Sequence, residues 1–453
     1  MFRASQLAPI ICCISLFLGG CAGLPYSFES DSDTLASFDQ NPNITLTLAH
    51  SWTATSTTAV DMVHRSLVER FIQDNPSITL NEDILDNASL KVKIKTLAAA
   101  NALPDVFMML GSDAKMLLDN RLIMPVDQLL EQDPEWNKGF RPDSFDDFRF
   151  GGITAGIPMQ MTLTSVIYYN ADIFKRAGYS SFPSTWEDFM DAIPRIRALG
   201  IIPISMGNKD QWVAGSCLLS ALGDRFTGTP WFDSIANRTG ASFTDASFVR
   251  ALEAVKQLSK AGAFNEDMNR LDNFQQREAY YKGKAAMFME GGWAVSSVIT
   301  DAPPSILEQT HLAVLPQVPG GLGEAMSSSG GSGWAFALNA NLKGEKLQAA
   351  VKLVKELTGD TAANEMAAKG DISGSYATIR DQTEPSLFSE YLVLLDGVQL
   401  TPVYDVRLPP EVVQELNNEL QQLIRPGSTL SPYEAASKIE AAYRYDRYSP
   451  EGE

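Results

Sequence analysis

Histidine and cysteine are scarce in this chain of 453 residues, which has three of the first and four of the second. The histidines His50, His64 and His311 are far apart, and none belongs to a zinc-binding motif. Three cysteines fall in the first 21 residues, so Cys217 has no partner for an internal disulfide in the rest of the chain. Neither a Gly-x-Ser-x-Gly motif nor a phosphate-binding glycine loop with its lysine is present. We therefore expect no metal, no cofactor and no enzyme activity, and we expect His64, inside a helical pattern, at the surface.

Basic residues are also few: the chain has 36 lysines and arginines and 55 aspartates and glutamates, which gives a net charge of −19. A phosphate backbone or an anionic lipid surface attracts a basic face, so we expect no nucleic-acid partner and no membrane contact through charge. Hydrophobic residues make up 45% of the chain and charged residues 20%, which is typical of a globular protein. The length exceeds one ordinary core and suits two lobes.

The amino terminus has the pattern of a targeting segment and a tether. An apolar run over residues 7–18 is too short to span a bilayer. Residues 18–21, Leu-Gly-Gly-Cys, resemble a bacterial lipobox, in which the cysteine receives lipid after cleavage. We therefore predict a signal peptide over residues 1–20, a lipid on Cys21, and a polar, flexible tether over residues 21–42. The alternative is a plain signal peptide with an incidental cysteine.

Residues 283–293 combine a buried strand with a tryptophan that follows two glycines. Gly283 can end a helix because glycine tolerates positive φ, and the apolar run over residues 285–289 is typical of a strand buried on both faces. The two glycines let a ligand approach the backbone, and the indole of Trp293 offers a flat face with one N–H donor. In open α/β sheets, ligands bind at this end of the strands. Trp293 is therefore either a ligand contact or a core anchor.

Three sequence motifs carry a resemblance to a known family. They are Gly-Lys-Ala-Ala-Met at residues 283–287 with Gly-Trp shortly after, Pro-Asp-Val at 104–106, and Ile-Pro at 157–158 with Tyr-Asn at 169–170. These motifs resemble those of the family 1 extracellular solute-binding proteins, the ligand-capturing subunits of ABC importers that include the maltose-binding type. The resemblance extends from about residue 44 to about residue 443. The chain departs from the family at residues 369–375, where a loop that usually carries a proline has none.

The resemblance implies an α/β fold of two lobes, like the type II periplasmic binding proteins, with a ligand cleft between the lobes. Hinge segments would cross between the lobes near Pro158, near Glu290 and at residues 331–334. On this basis we assign residues 43–159 plus 291–331 to the amino-terminal lobe and residues 160–290 plus 332–453 to the carboxy-terminal lobe.

The function that the resemblance implies is capture of a sugar or oligosaccharide outside the cytoplasmic membrane and its delivery to the permease subunits of an ABC importer. The protein would be a monomeric lipoprotein in the periplasm or at the cell surface of a bacterium, attached to the membrane only through its lipid. One alternative keeps the fold and changes the ligand to a polyamine, glycerol phosphate or another small solute. Another is a secreted enzyme that cleaves carbohydrates with two of the many carboxylates.

The resemblance, together with positions at strand ends, implies a set of aromatic and polar ligand contacts at strand ends and at the crossings between lobes. Sugars stack their C–H faces on aromatic rings and need hydrogen-bond partners for their hydroxyls. The candidates are His50, Trp52, Ser112, Asp113, Gln160, Thr162, Trp212, Glu290, Trp293 and Asp371. Packing is an equal alternative for His50, and capping of the following helix is an equal alternative for Asp113.

Overall fold

The computed structural model describes residues 43–378 and 386–447. The predicted signal peptide at residues 1–20, the lipid site at Cys21 and the tether at residues 21–42 lie outside the described residues. Within the described ranges, no helix combines the length and the apolar character needed to cross a bilayer.

The strands are short, and most of them alternate with helices along the chain. In chain order they are β1 (Ile44–His50), β2 (Ile78–Ile84), β3 (Val106–Leu110), β4 (Arg149–Phe150), β5 (Ile153–Thr154), β6 (Ile157–Pro158), β7 (Thr162–Leu163), β8 (Val166–Asn170), β9 (Ile202–Ser205), β10 (Ala285–Glu290), β11 (Thr310–Ala313), β12 (Ser327–Gly331), β13 (Trp334–Leu338) and β14 (Gln399–Thr401).

The helices supply most of the outer layers. They are α1 (Ala59–Asp74), α2 (Asn87–Ala99), α3 (Gly111–Asp119), α4 (Asp127–Gln132), α5 (Pro134–Gly139), α6 (Ala171–Arg176), α7 (Trp186–Ala198), α8 (Ser220–Thr227), α9 (Thr229–Ala236), α10 (Ala246–Lys260), α11 (Asn273–Tyr281), α12 (Ala294–Asp301), α13 (Pro304–Leu307), α14 (Gly344–Thr358), α15 (Asp360–Ala368), α16 (Leu387–Gly397), α17 (Tyr404–Arg407), α18 (Pro410–Ile424) and α19 (Pro432–Arg447). A 3₁₀ helix spans Pro142–Phe148, and a π-helix spans Val213–Leu219.

The first sheet has the strand order β2-β1-β3-β13-β6. Its first three strands run parallel, and β13 runs antiparallel to both of its neighbours. All five residues of β3 are buried because helices cover both faces of a parallel sheet, and this explains their continuous apolar run. The helices α1 and α14 pack on this sheet, and α15 packs on these two helices. Helix α1 turns Val63, Leu67 and Phe71 towards a core that we name the first core.

The second sheet has the order β11-β8-β10-β9. Its strand β10 is buried along its whole length, which confirms the strand predicted for residues 285–289. Gly283 ends the preceding turn with φ of +65°, a conformation that favours glycine. The helices α7, α8, α10, α18 and α19 surround a large apolar cluster on this sheet, the second core. A smaller cluster against the same sheet contains Tyr168, Phe288 and residues of α12 and α16.

Strand pairing corrects the assignment of two segments. Trp334–Leu338 forms β13 beside β3, and the following α14 packs in the first core, although the sequence analysis assigned everything after residue 332 to the carboxy-terminal lobe. Conversely, β11 pairs with β8 in the second sheet, although residues 291–331 were assigned to the amino-terminal lobe. These pairings join residues far apart in sequence, so local patterns do not reveal them.

The passages between cores are also not all where we expected them. Met159 packs in the first core and Met161 in the smaller cluster on the second sheet, which agrees with a crossing near Pro158. The other passages lie at residues 331–334 and between Met366 and Ile372. Glu290 is not at a passage, because β10 and α12, on either side of it, pack against the same sheet.

Candidate functional site

A cavity of about 230 Å³ is bordered by residues at or after the ends of strands in both main sheets. Leu110 at the end of β3 and Trp334 at the start of β13 border it from the first sheet. Trp212 follows β9 and Trp293 follows β10, so both reach the cavity from the second sheet. Strand ends converge on one edge of a sheet, and this is where open α/β sheets bind small molecules.

Trp293 and Trp212 form an aromatic corner of the cavity wall. Both rings are half-buried, and their centroids are 6.0 Å apart with 54° between the ring planes. Trp293 stands at the start of α12, directly after Gly291 and Gly292. A Cβ atom on Gly292 would lie 2.0 Å from the hydroxyl oxygen of Tyr391, so this glycine makes room for a core tyrosine rather than for a ligand.

Glu290 holds the indole of Trp293 in place from behind the cavity wall. The carboxylate is fully buried, and its Oε1 accepts hydrogen bonds from Trp293 Nε1 at 2.9 Å and from Asn273 Nδ2 at 2.9 Å. Its Oε2 accepts from Gln276 Nε2 at 3.0 Å and lies 3.3 Å from Arg277 Nε. All of its acceptor positions are thus engaged within the protein. Glu290 therefore lies behind the cavity wall rather than in it, which differs from the direct ligand contact that the sequence analysis predicted.

Arg277 lies in the cavity wall beside this carboxylate. Its side chain is 4% exposed, and the guanidinium carbon lies 4.9 Å from the ring centroid of Phe274. Among the described residues, its Nη2 atom has no hydrogen-bond partner. Arg277 therefore combines a charge that Glu290 balances with a donor that is free to bind an oxygen atom. The sequence analysis did not single out this residue.

Trp334 adds a third indole face that the sequence analysis also missed as a site residue. It is half-buried at the first residue of β13, and Lys91 Nζ lies 5.7 Å from its ring centroid. An ammonium group over an indole face is an attractive arrangement. The available signal was an aromatic residue directly after a glycine- and serine-rich crossing.

Gln160 and Thr162 reach the cavity from the passage between β6 and β7, where the sequence analysis expected them. Thr162 Oγ1 lies 3.2 Å from the hydroxyl oxygen of Tyr391, which fixes its rotamer. The structure thus brings together four of the predicted contacts, namely Gln160, Thr162, Trp212 and Trp293. Whether they touch a ligand stays a prediction.

His50 and Trp52 are core residues rather than cavity residues. Trp52 is fully buried and stacks between His50 and His64, with ring centroids 4.2 Å and 4.7 Å away. Its backbone N–H donates to His50 Nδ1, so the chain turns inward after β1. His64 is fully buried as well, which corrects the expectation of a surface position, and burial lowers its pKa to about 4.

Ser112, Asp113 and Asp371 also lie outside the cavity wall. Ser112 and Asp113 belong to the first turn of α3, and Asp113 is buried 3.9 Å from Lys95. Asp371 is buried beside the amino terminus of α1, where it accepts a hydrogen bond from the backbone of Ile372 at 2.8 Å. Burial raises the pKa of Asp371 to about 7. Among the described residues, Asp113 Oδ1 and Asp371 Oδ2 have no hydrogen-bond partner, but neither residue borders the cavity.

The charged side chains of the cavity wall are mostly acidic. Asp61, Asp86, Asp210 and Asp405 line it, against Lys91 and Arg277. Burial raises the pKa of Asp61, and burial together with the nearby carboxylates of Asp272 and Asp86 raises the pKa of Asp210. In the described part of the chain, no cluster of three or more histidine, cysteine, aspartate or glutamate side chains could hold a metal ion.

Three curated proteins match the chain over part of their length. An uncharacterized ABC transporter extracellular-binding protein of Pyrococcus horikoshii is 24% identical over 291 residues, which is 62% of each chain. The sn-glycerol-3-phosphate-binding periplasmic protein UgpB of Shigella flexneri is 24% identical over 249 residues, or 51% of this chain and 54% of that one. The match therefore spans between about half and 62% of the length of these curated relatives.

Solved structures share the fold over almost the whole chain. A chitin oligosaccharide binding protein gives a TM-score of 0.81 at 20% identity, over 90% of this chain and 100% of that one. A protein from a study of xylan utilization by Caldanaerobius polysaccharolyticus gives 0.77 at 23% identity, over 88% and 99%. Maltose-bound MalE3 of T. maritima gives 0.71 at 20% identity, over 89% and 99%. At these identities, the likeness shows the fold alone.

The family follows from a separate comparison. A model of the bacterial extracellular solute-binding proteins matches residues 64–364, which is more than half of the 453 residues. The predicted resemblance is thereby confirmed: the chain belongs to the family of bacterial extracellular solute-binding proteins.

Proposed function

We propose that the protein binds a sugar or an oligosaccharide in this cavity. The observation that carries the proposal is the set of three indole faces, Trp212, Trp293 and Trp334, around polar side chains such as Gln160. Sugar rings present C–H faces that stack on indoles and hydroxyls that need nearby donors and acceptors. Support also comes from solved structures of the same fold, among them a chitin oligosaccharide binding protein and a maltose-bound protein.

We further propose that the protein delivers this sugar to the permease of an ABC importer. Family membership supports this role, as does a curated relative that is named an ABC transporter extracellular-binding protein. In this proposal the two cores belong to two lobes that close on the ligand, and the permease recognises the closed form. The wall of the cavity draws on both cores and on the passages between them, as such closure requires.

The cellular location is part of the same proposal. The protein would act outside the cytoplasmic membrane, attached by a lipid on Cys21. The support is the Leu-Gly-Gly-Cys pattern at residues 18–21 and the extracellular family. No internal disulfide is required, because Cys217 is the only cysteine after residue 21.

A ligand screen tests the proposed function. The mature protein would be heated with mono- and oligosaccharides, polyamines and glycerol phosphate, and each compound that raises the unfolding temperature would then be titrated by calorimetry. A ligand that binds only the native state raises apparent stability. We expect one sugar series to do so. A shift with polyamines or glycerol phosphate alone would contradict the sugar proposal while leaving solute binding intact.

Incubation with the oligosaccharide found in this screen distinguishes a binding protein from an enzyme. After long incubation with the protein, a bound oligosaccharide should be recovered at its original length. Shorter products that disappear on substitution of one cavity carboxylate, such as Asp61→Asn, would instead favour a hydrolase.

Solution scattering tests whether the two cores close on the ligand. At saturating sugar, solution scattering should show a smaller radius of gyration than without sugar. An unchanged curve would mean that the cores keep a fixed arrangement.

A further inference from the structure

Asp405 is a buried carboxylate in the cavity wall without a partner for one of its oxygens. The residue is 6% exposed, and among the described residues its Oδ1 has no hydrogen-bond partner. Burying a carboxylate without compensating donors is unfavourable. Such a group in a native structure therefore needs an explanation.

Two arginines in this part of the protein pair with carboxylates other than Asp405. Arg407, two residues along the chain, pairs through Nε with Asp147 Oδ1 at 3.0 Å. Arg277 in the cavity wall lies 3.3 Å from the buried carboxylate of Glu290. Neither arginine donates to Asp405 Oδ1, so the donor groups of a molecule that enters the cavity can compensate this oxygen.

The backbone that carries Asp405 is fixed on both sides. The preceding residue, Tyr404, is buried in the second core and stacks on Phe232 with ring centroids 4.6 Å apart. Its backbone N–H donates a hydrogen bond to Ser220 Oγ at 3.0 Å. The following residue, Val406, packs so closely on α3 that a Cβ atom on Gly111 would lie 2.7 Å from its Cγ1. The short helix α17 thus holds the carboxylate in place before any ligand arrives.

The charge of the whole wall points in the same direction. Four aspartates and only two cationic side chains line the wall. Glu290, behind the wall, balances the charge of one of these cations, Arg277. The carboxylates of Asp86 and Asp210 lie close enough that the first raises the pKa of the second. A wall with this excess of negative charge attracts neutral or cationic molecules and repels anions.

We propose that Asp405 anchors the ligand by accepting hydrogen bonds from its donor groups, and that the site selects against anionic solutes. The donors are either sugar hydroxyls or the ammonium group of an amino sugar, since both present O–H or N–H groups to a carboxylate. The inference rests on the proposed function because it uses the same cavity. It adds an anchoring residue and excludes phosphorylated and carboxylated ligands.

The first test needs no ligand. Asp405→Asn removes an unpaired buried charge and keeps the shape, so the unliganded variant should unfold at the same or a higher urea concentration than the parent protein. Asp172→Asn, an exposed site on α6, makes the same change in charge and serves as the control. A lower midpoint for Asp405→Asn alone would show a structural carboxylate and overturn the proposal.

The second test measures binding of cellobiose, maltotriose, glucosamine disaccharide and sn-glycerol-3-phosphate by calorimetry. For the sugar that the parent protein binds, Asp405→Asn should lower the affinity tenfold or more. Asp172→Asn should leave that affinity unchanged. If the donor is an ammonium group, the glucosamine disaccharide should bind tightest, and its affinity should fall with salt. If the donors are hydroxyls, the neutral sugars should bind and salt should have little effect.

Two outcomes of these titrations separate this inference from the proposed function. Strong binding of sn-glycerol-3-phosphate that Asp405→Asn leaves intact would overturn the inference, although the protein would still be a solute-binding protein. Sugar binding that Asp405→Asn leaves intact would overturn the anchoring role and keep the sugar proposal.

Discussion

Trp293 Nε1 donates a hydrogen bond to Glu290 Oε1 at 2.9 Å, and the same carboxylate lies 3.3 Å from Arg277 Nε through its other oxygen. One fully buried side chain therefore orients an indole of the cavity wall and balances a buried cation. Only Gly291 and Gly292 separate Glu290 from Trp293 in the chain. The end of β10 therefore places the buried carboxylate and the indole side by side.

Glu290→Gln should destabilise the protein by about 3–5 kcal/mol, the usual cost of removing one partner of a buried ion pair. The amide keeps the shape and can still accept from Trp293, but it no longer balances Arg277. Urea unfolding measures the change. Glu278→Gln is the matched control, since that side chain is 56% exposed and pairs with Lys282 on the surface, where about 0–1 kcal/mol is expected. An equal loss of unfolding free energy in both variants would mean that the buried ion pair contributes no more to stability than the surface pair.

The buried His64 should make stability fall in mild acid. Burial lowers its pKa from 6.5 to about 4, so between these values the unfolded chain binds the proton and the folded protein does not. Folding stability is therefore complete above pH 6.5 and declines as the pH falls towards 4. Between pH 7 and pH 5 the loss from this group amounts to about 2 kcal/mol.

The measurement compares urea unfolding at pH 7 and pH 5 for the parent protein and His64→Gln, and the variant should lose less stability on acidification. Asp371 acts with the opposite sign, because burial raises its pKa to about 7 and its contribution is present at low pH and lost as the pH rises. The difference between the two proteins isolates His64 from this background.

Cys21→Ala should release the protein from the membrane fraction without changing its affinity for ligand. The Leu-Gly-Gly-Cys pattern at residues 18–21 motivates this expectation, since the lipid would be attached to that thiol. Fractionation after a high-salt wash gives the answer. Retention of the substituted protein in the membrane fraction would contradict the lipobox.

Local patterns were sufficient for elements whose neighbours in sequence are also their neighbours in space. The apolar run between glycines predicted β10, and the position after its end predicted Trp293 at the cavity wall, whereas Trp212 was predicted from the family resemblance. The family resemblance placed Gln160 and Thr162 at a crossing, and the structure has them there.

Features that depend on distant pairing could not be predicted in this way. Trp334 borders the cavity because β13 pairs with β3, more than 200 residues earlier in the chain. Trp52 follows a strand end just as Trp293 does, yet α1 brings His64 over its face and closes it into the first core. Asp405 depends on the packing of α17 between α3 and the second core.

This contrast between two tryptophans yields a paired experiment. Trp293→Ala removes a half-buried face in the cavity wall, so affinity for sugar should fall by about 2 kcal/mol or more, roughly thirtyfold. Stability without ligand should change by much less than for a core residue. Trp52→Ala removes a fully buried ring, so it should cost about 3–5 kcal/mol of folding free energy, while any protein that remains folded keeps its affinity.

Calorimetric titration and urea unfolding on both variants separate the two roles, because the substitution is the same and only the surroundings differ. Trp293→Ala also removes the hydrogen bond from Trp293 Nε1 to Glu290, so we expect a small loss of stability in that variant. If Trp293→Ala destabilises the protein as much as Trp52→Ala and leaves affinity unchanged, Trp293 is a packing residue and the aromatic corner with Trp212 does not bind the ligand.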